Sequence, residues 1–106
     1  MTVKTRILIV DDDRDFAGSN KDLLEPFGYE VQTAGDGRSG VLAAKQFVPD
    51  LMILDVMMST DTEGFDVARR IRELAELRKT KVLLLTGIKD SLNLPEELEP
   101  DDTWLP

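Results

Sequence analysis

The sequence predicts an α/β domain built on a parallel sheet, and three observations carry that expectation. Short apolar runs alternate with stretches of helical periodicity, the order that produces right-handed βαβ crossovers. The runs are brief and continuous, as in strands covered on both faces. Three of them end on polar groups, at Asp11-Asp12-Asp13, at Asp55 and at Thr86.

Each element has its own signal. Residues 6–10, Arg-Ile-Leu-Ile-Val, are β-branched and apolar and stop at the aspartates, which predicts the first strand. Phe16, Ala17, Leu23 and Leu24 supply an apolar stripe for a helix over 14–25, ended by Pro26 and Gly28. Residues 29–33, Tyr-Glu-Val-Gln-Thr, alternate and predict a second strand nearer an edge. After the Gly35-Asp36-Gly37 turn, Val41, Leu42, Ala44 and Phe47 predict a helix over 38–47, closed by Pro49. Leu51–Leu54 predict a third strand, which runs into Asp55. The strongest helical pattern spans 65–77, with Val67, Ala68, Ile71, Leu74 and Ala75 on one face. Lys81–Leu85 predict a fourth strand that ends at Thr86-Gly87. Beyond Ile88 the pattern gives turn signals, one helical turn at 96–98 and no fifth strand. Repeats and low-complexity tracts are absent.

Composition narrows the chemistry. The chain has 106 residues, 42% of them hydrophobic, which suits a single domain over 1–106 with one modest core. It contains no cysteine and no histidine. Disulfides, thiolate nucleophiles, sulfur-bound zinc and imidazole proton shuttles are thereby excluded. Carboxylates, hydroxyls, amines and backbone groups must do the work, and oxygen-only ligands favour hard cations such as Mg²⁺ or Ca²⁺. No apolar run approaches the ~20 residues of a membrane span, and the N-terminus lacks a signal-peptide core, so a cytoplasmic protein is expected. The net charge is −8, and six acids with no base fall within residues 90–106. Such a chain is a poor candidate for direct nucleic-acid binding, and its acidic end reads most simply as a solvated segment.

In parallel α/β sheets, ligands bind beyond the carboxyl ends of the strands. One aspartate after a strand is ordinarily a turn or cap residue. Three polar strand ends on one edge describe a cleft, and carboxylates so gathered call for a divalent cation. An EF-hand loop beginning at Asp11 fails, because Phe16 stands at its glycine position and Asp22 at its closing glutamate. An Asp-x-Asp-x-Thr phosphatase motif fails at Asp15. No glycine-rich nucleotide loop is present.

The run 7–13 (Ile-Leu-Ile-Val-Asp-Asp-Asp), the run 49–58 (Pro-Asp-Leu-Met-Ile-Leu-Asp-Val-Met-Met), Gly64 and residues 83–87 (Leu-Leu-Leu-Thr-Gly) together resemble the receiver domain of bacterial two-component response regulators. The resemblance covers about residues 5–90 in order and spacing. It implies a flavodoxin-like, doubly wound sheet of order 2-1-3-4-5. It implies that Asp55 accepts a phosphoryl group from a histidine kinase or histidine phosphotransfer protein. By the same match Asp12 would ligate Mg²⁺ directly and Asp11 mainly through water, with Asp55 and the backbone carbonyl of Met57 completing the set. Thr86 would hydrogen-bond the phosphoryl group as the switch, and Gly87 would leave it room. Asp13 is left as a cap or supporting acid. A module of this kind assists its own phosphorylation and is not an enzyme with a separate substrate. Physics agrees on one point: a carboxylate is ionised at pH 7 and needs no histidine to activate it.

The chain also departs from the family. The lysine expected at the end of a fifth strand has no counterpart, since Lys81 and Lys89 stand elsewhere, and neither an aromatic switch residue nor a final helix is found. The expectation is a C-terminally incomplete receiver whose fourth strand, left as an apolar edge, favours homodimers or larger assemblies. Ser59 replaces a common proline, and the loop before Gly64 is one residue longer than usual. Apolar Met57 and Ile88, where the family often places polar groups, predict slow loss of phosphate. The alternative function is an interaction module that binds Mg²⁺ or a partner without being phosphorylated; a small hydrolase lacks any general base besides these aspartates.

Overall fold

The computed structural model describes residues 4–55 and 63–85. Strands β1 (Arg6–Val10), β2 (Glu30–Ala34), β3 (Leu51–Asp55) and β4 (Lys81–Leu85) alternate with helices α1 (Arg14–Leu24), α2 (Gly37–Phe47) and α3 (Glu63–Glu73). All strand pairs are parallel, in the order β2-β1-β3-β4. This is the anticipated 2-1-3-4-5 sheet through its first four positions. The fifth position lies outside the described residues, as do Met57, Ser59, Thr86, Gly87 and Ile88.

Alternation along the strands divides the core in two, as the pleat requires. Leu8, Val10, Met52, Leu54 and Val82 pack with Val41, Ala44 and Phe47 of α2, Val67 and Ile71 of α3, and Leu77. Ile7, Ile9 and Val31 pack on the other face with Ala17 of α1, joined by half-buried Leu24, Leu51 and Ile53. Leu8, Met52 and Leu54 are fully buried, each worth roughly 1.5–3 kcal/mol relative to exposure. Helix α2 lies so close to β1 that a Cβ on Gly40 would stand 2.9 Å and 3.0 Å from the two Val10 methyls. That contact explains a glycine in a helix interior, where it is otherwise unfavourable.

The ends of the elements correct several expectations. Helix α1 stops at Leu24 and continues as a 3₁₀ turn over Glu25–Phe27, which Gly28 closes at a φ of 97°. Leu23, expected in its apolar stripe, is exposed, and so is Leu42 of α2. Only one partner layer covers each helix, so the flanks of a broad apolar stripe stay in water. Strand β2 begins one residue late, leaving Tyr29 at the surface. Helix α3 ends at Glu73, four residues before the predicted boundary. Leu74 turns extended, with ψ 118°, and a 3₁₀ turn over Ala75–Leu77 follows. The break drives Leu77 into the core in place of Ala75, which is exposed. It also brings the Thr80 hydroxyl to donate to the Pro49 carbonyl at 2.6 Å, a buried bond. Burial of Leu77 and that bond outweigh the continuation of one apolar face. Among the described residues, no helix is long and apolar enough to cross a membrane.

Candidate functional site

Three aspartates meet at the carboxyl end of the sheet because the strand register brings them there. Val10 of β1 is level with Leu54 of β3, so the next residues, Asp11 and Asp55, stand side by side. The Asp11 backbone N–H donates to the Ala34 carbonyl at 2.9 Å, which extends the β1–β2 ladder through the aspartate itself. Its carboxylate Oδ1 accepts from the Asp13 N–H at 2.9 Å and bends the chain away from the sheet. Asp13 then caps α1, its Oδ1 accepting from the Phe16 N–H at 3.0 Å. The acid left open as a cap or supporting residue is therefore a cap, the usual office of an aspartate before a helix.

The turn leaves Asp12 exposed, while Asp11 and Asp55 are each 2% accessible. Asp11, Asp12 and Asp55 each offer a carboxylate oxygen within 4.8 Å of the other two. Three like charges so placed repel, and a bound cation relieves that repulsion. The donor set is all oxygen, with one acid open to water and two walled by the sheet. That composition fits a hard divalent ion such as Mg²⁺, which keeps several waters and takes few protein carboxylates. Asp55 is in register with Leu85, so β4 ends level with the cluster and Thr86 follows next in the chain. Of the predicted site residues, the structure gathers Asp11, Asp12 and Asp55; Met57, Thr86 and Gly87 lie outside the described residues.

One neighbour escaped the sequence reading. Arg14 lines with Asp11, Ala17, Thr33 and Gly35 a small cleft of about 290 Å³ beside the cluster. The signal was its position in the first turn of α1, directly after the cap.

Known proteins share this sequence pattern and fold. The family model of the response regulator receiver domain matches residues 7–100. A DNA-binding dual master transcriptional regulator, RpaA of Synechocystis, is 41% identical over 83 residues, covering 78% of this chain and 34% of the regulator. The transcriptional regulatory protein CpxR of Klebsiella pneumoniae is 38% identical over 103 residues, 95% of this chain and 42% of that protein. The chain thus spans well under half the length of these relatives. Among solved structures, a CheY-like receiver domain from Methanospirillum hungatei superposes with a TM-score of 0.72 at 32% identity, covering 80% of this chain and 66% of that one. The N-terminal domain of a receiver protein from Methanoculleus marisnigri gives 0.71 at 34% identity, covering 77% and 66%. Sheet order, the acidic cluster and these similarities converge: the chain belongs to the response regulator receiver domains of two-component signalling.

Proposed function

We propose that this receiver is a phosphorylation switch in which Asp55 accepts a phosphoryl group from a histidine kinase or histidine phosphotransfer protein. The observation that carries the reading is the cluster itself, Asp11, Asp12 and Asp55 within 4.8 Å with Asp55 buried at a strand end. The Asp55 carboxylate oxygen attacks phosphorus, the donor's P–N bond breaks, and an acyl phosphate forms while the imidazole leaves with a proton. Attack by a carboxylate oxygen, unlike attack by a hydroxyl, asks for no general base. Burial fixes its rotamer and keeps bulk water from the product, and in-line phosphoryl transfer depends on such positioning.

Asp11 and Asp12, with Asp55, would hold Mg²⁺, and the backbone carbonyl of Met57, two residues beyond Asp55, is the fourth protein ligand in this reading. The ion, when bound, screens the charge on the phosphoryl oxygens. Thr86 is the proposed switch, its hydroxyl donating to a phosphoryl oxygen, and Gly87 leaves space beside it. The receiver is a signalling module acting in the cytoplasm, without a separate substrate of its own. Its output is carried by whatever it is joined to or binds.

Incubation with a small phosphodonor and Mg²⁺, followed by intact-mass measurement, tests the proposal. One added phosphoryl group is expected, lost on Asp55→Asn and labile to hydroxylamine. No gain in mass, or a gain that survives Asp55→Asn, would leave an interaction module as the function.

A further inference from the structure

A second surface, lined by none of the three clustered aspartates, is the groove between α2 and α3. It encloses about 590 Å³. Arg38, Val41, Leu42 and Lys45 line it from α2, at the i, i+3, i+4, i+7 spacing that places side chains on one helical stripe. Val67 and Arg70 line it from α3. Val41 and Val67 are buried and form its floor, whereas Leu42 is 55% exposed. Arg38, Lys45 and Arg70 are exposed around these apolar groups, and none forms a salt bridge to a described residue. Asp66, the one acid lining the groove among the described residues, is engaged by Arg69 at 3.7 Å.

The placement runs against the rest of the molecule. In a chain of net charge −8, this groove gathers three cations around an open leucine. An apolar floor inside a charged rim is the form of a peptide groove, where apolar anchors give affinity and charge selects the partner. A polyanion such as nucleic acid would gain nothing from the floor and would meet the acidic remainder of the surface.

We infer that the α2–α3 groove docks an acidic amphipathic segment of a partner protein. Apolar side chains of that segment seat on Val41, Leu42 and Val67, and its carboxylates meet Arg38, Lys45 and Arg70. The site is separate from Asp55 and gives the receiver a means of choosing a partner that does not depend on the phosphoacceptor.

The test uses the full chain and a fluorescent helical peptide in which leucines recur at i and i+4 and glutamates fill the flanking positions. A peptide of the same composition in scrambled order is the control. Saturable binding of the ordered peptide is expected, with amide shifts centred on residues 37–45 and 66–70. Leu42→Asp should weaken it by roughly tenfold or more, as loss of a central apolar anchor does. Arg70→Glu should also weaken it and make binding less sensitive to added salt than in wild type. Both positions are exposed, so unchanged far-UV circular dichroism is expected of each variant. The inference is overturned if the scrambled peptide binds equally, if the shifts fall elsewhere, or if both variants bind as wild type. It is also overturned if an oligothymidylate competes at equal charge. Two further results would reassign the groove: a fall in molar mass on Leu42→Asp, to a second copy of this chain; shifts at residues 90–106 in free Arg70→Glu, to the chain's own acidic segment.

Discussion

At the amino ends of the strands, unlike groups satisfy one another; at the carboxyl ends, like charges are pressed together. The Arg6 N–H donates to Asp50 Oδ2 at 2.8 Å, and its guanidinium donates to the Phe47 carbonyl at 2.7 Å. The same guanidinium reaches Glu30 at 3.6 Å and lies 5.4 Å above the Phe47 ring centroid. Thr80 ties the start of β4 to Pro49. These contacts join β1, β2, β3 and β4 at one edge and favour the folded state. At the opposite edge Asp11, Asp12 and Asp55 share a space within 4.8 Å, an arrangement whose free energy is recovered on binding a cation. One edge holds the sheet and the other is held by it.

That contrast can be broken or sharpened by experiment. The largest effect is expected from Mg²⁺ itself. At about 100 times its dissociation constant, the ion should stabilise the wild-type fold by roughly 2.7 kcal/mol, and Asp12→Asn should remove most of the gain. Equal stabilisation of the wild type and the variant in thermal melts would dissociate the cluster from the metal.

At the amino edge, Thr80→Val keeps the shape of the side chain and leaves the Pro49 carbonyl without its buried donor. A loss of roughly 1–3 kcal/mol is expected from urea unfolding. A neutral result would show that water substitutes for the hydroxyl.

The same measurement on Asp55→Asn in the absence of divalent ions should move the other way. Removing one of three crowded negative charges is expected to raise stability on the order of 1 kcal/mol. A loss instead would show that Asp55 holds the fold as well as the site.

The smallest effect concerns Asp36, which caps α2. Its carboxylate accepts from the Ser39 N–H at 2.8 Å and from the Ser39 hydroxyl at 2.9 Å, and these bonds hold it below the usual carboxylate range. A group with a lowered folded pKa contributes stability above its unfolded value and loses it as pH falls through the folded one. The acid limb of the stability curve should therefore be less steep in Asp36→Asn, with the two proteins converging at the lowest pH. Parallel curves would place the acid sensitivity elsewhere.

Strand identity was legible because β1, β3 and β4 are written as nearly unbroken apolar runs, although burial is complete only along most of β1, alternates with half-burial in β3, and in β4 reaches Val82 alone. Asp11 and Asp55 could be assigned to one edge for the same reason, since each follows such a run. The end of α3 was not legible. Leu74, Ala75 and Leu77 are all compatible with helix, and only contact with the sheet selects Leu77 for burial. Neither was the exposure of Leu23 and Leu42, whose spacing matches their buried neighbours.

The sequence by itself determined the alternation of elements, the parallel sheet and the carboxylates that end its strands, because burial period and charge are local properties of a chain. Tertiary structure decided which of those carboxylates meet. Register carried Asp11 to Asp55, the bond from the Asp13 N–H to Asp11 turned Asp13 into a cap, and Asp12 was left facing water. It also set Arg38 and Lys45 across a groove from Arg70, a meeting of two helices that no spacing within either one records.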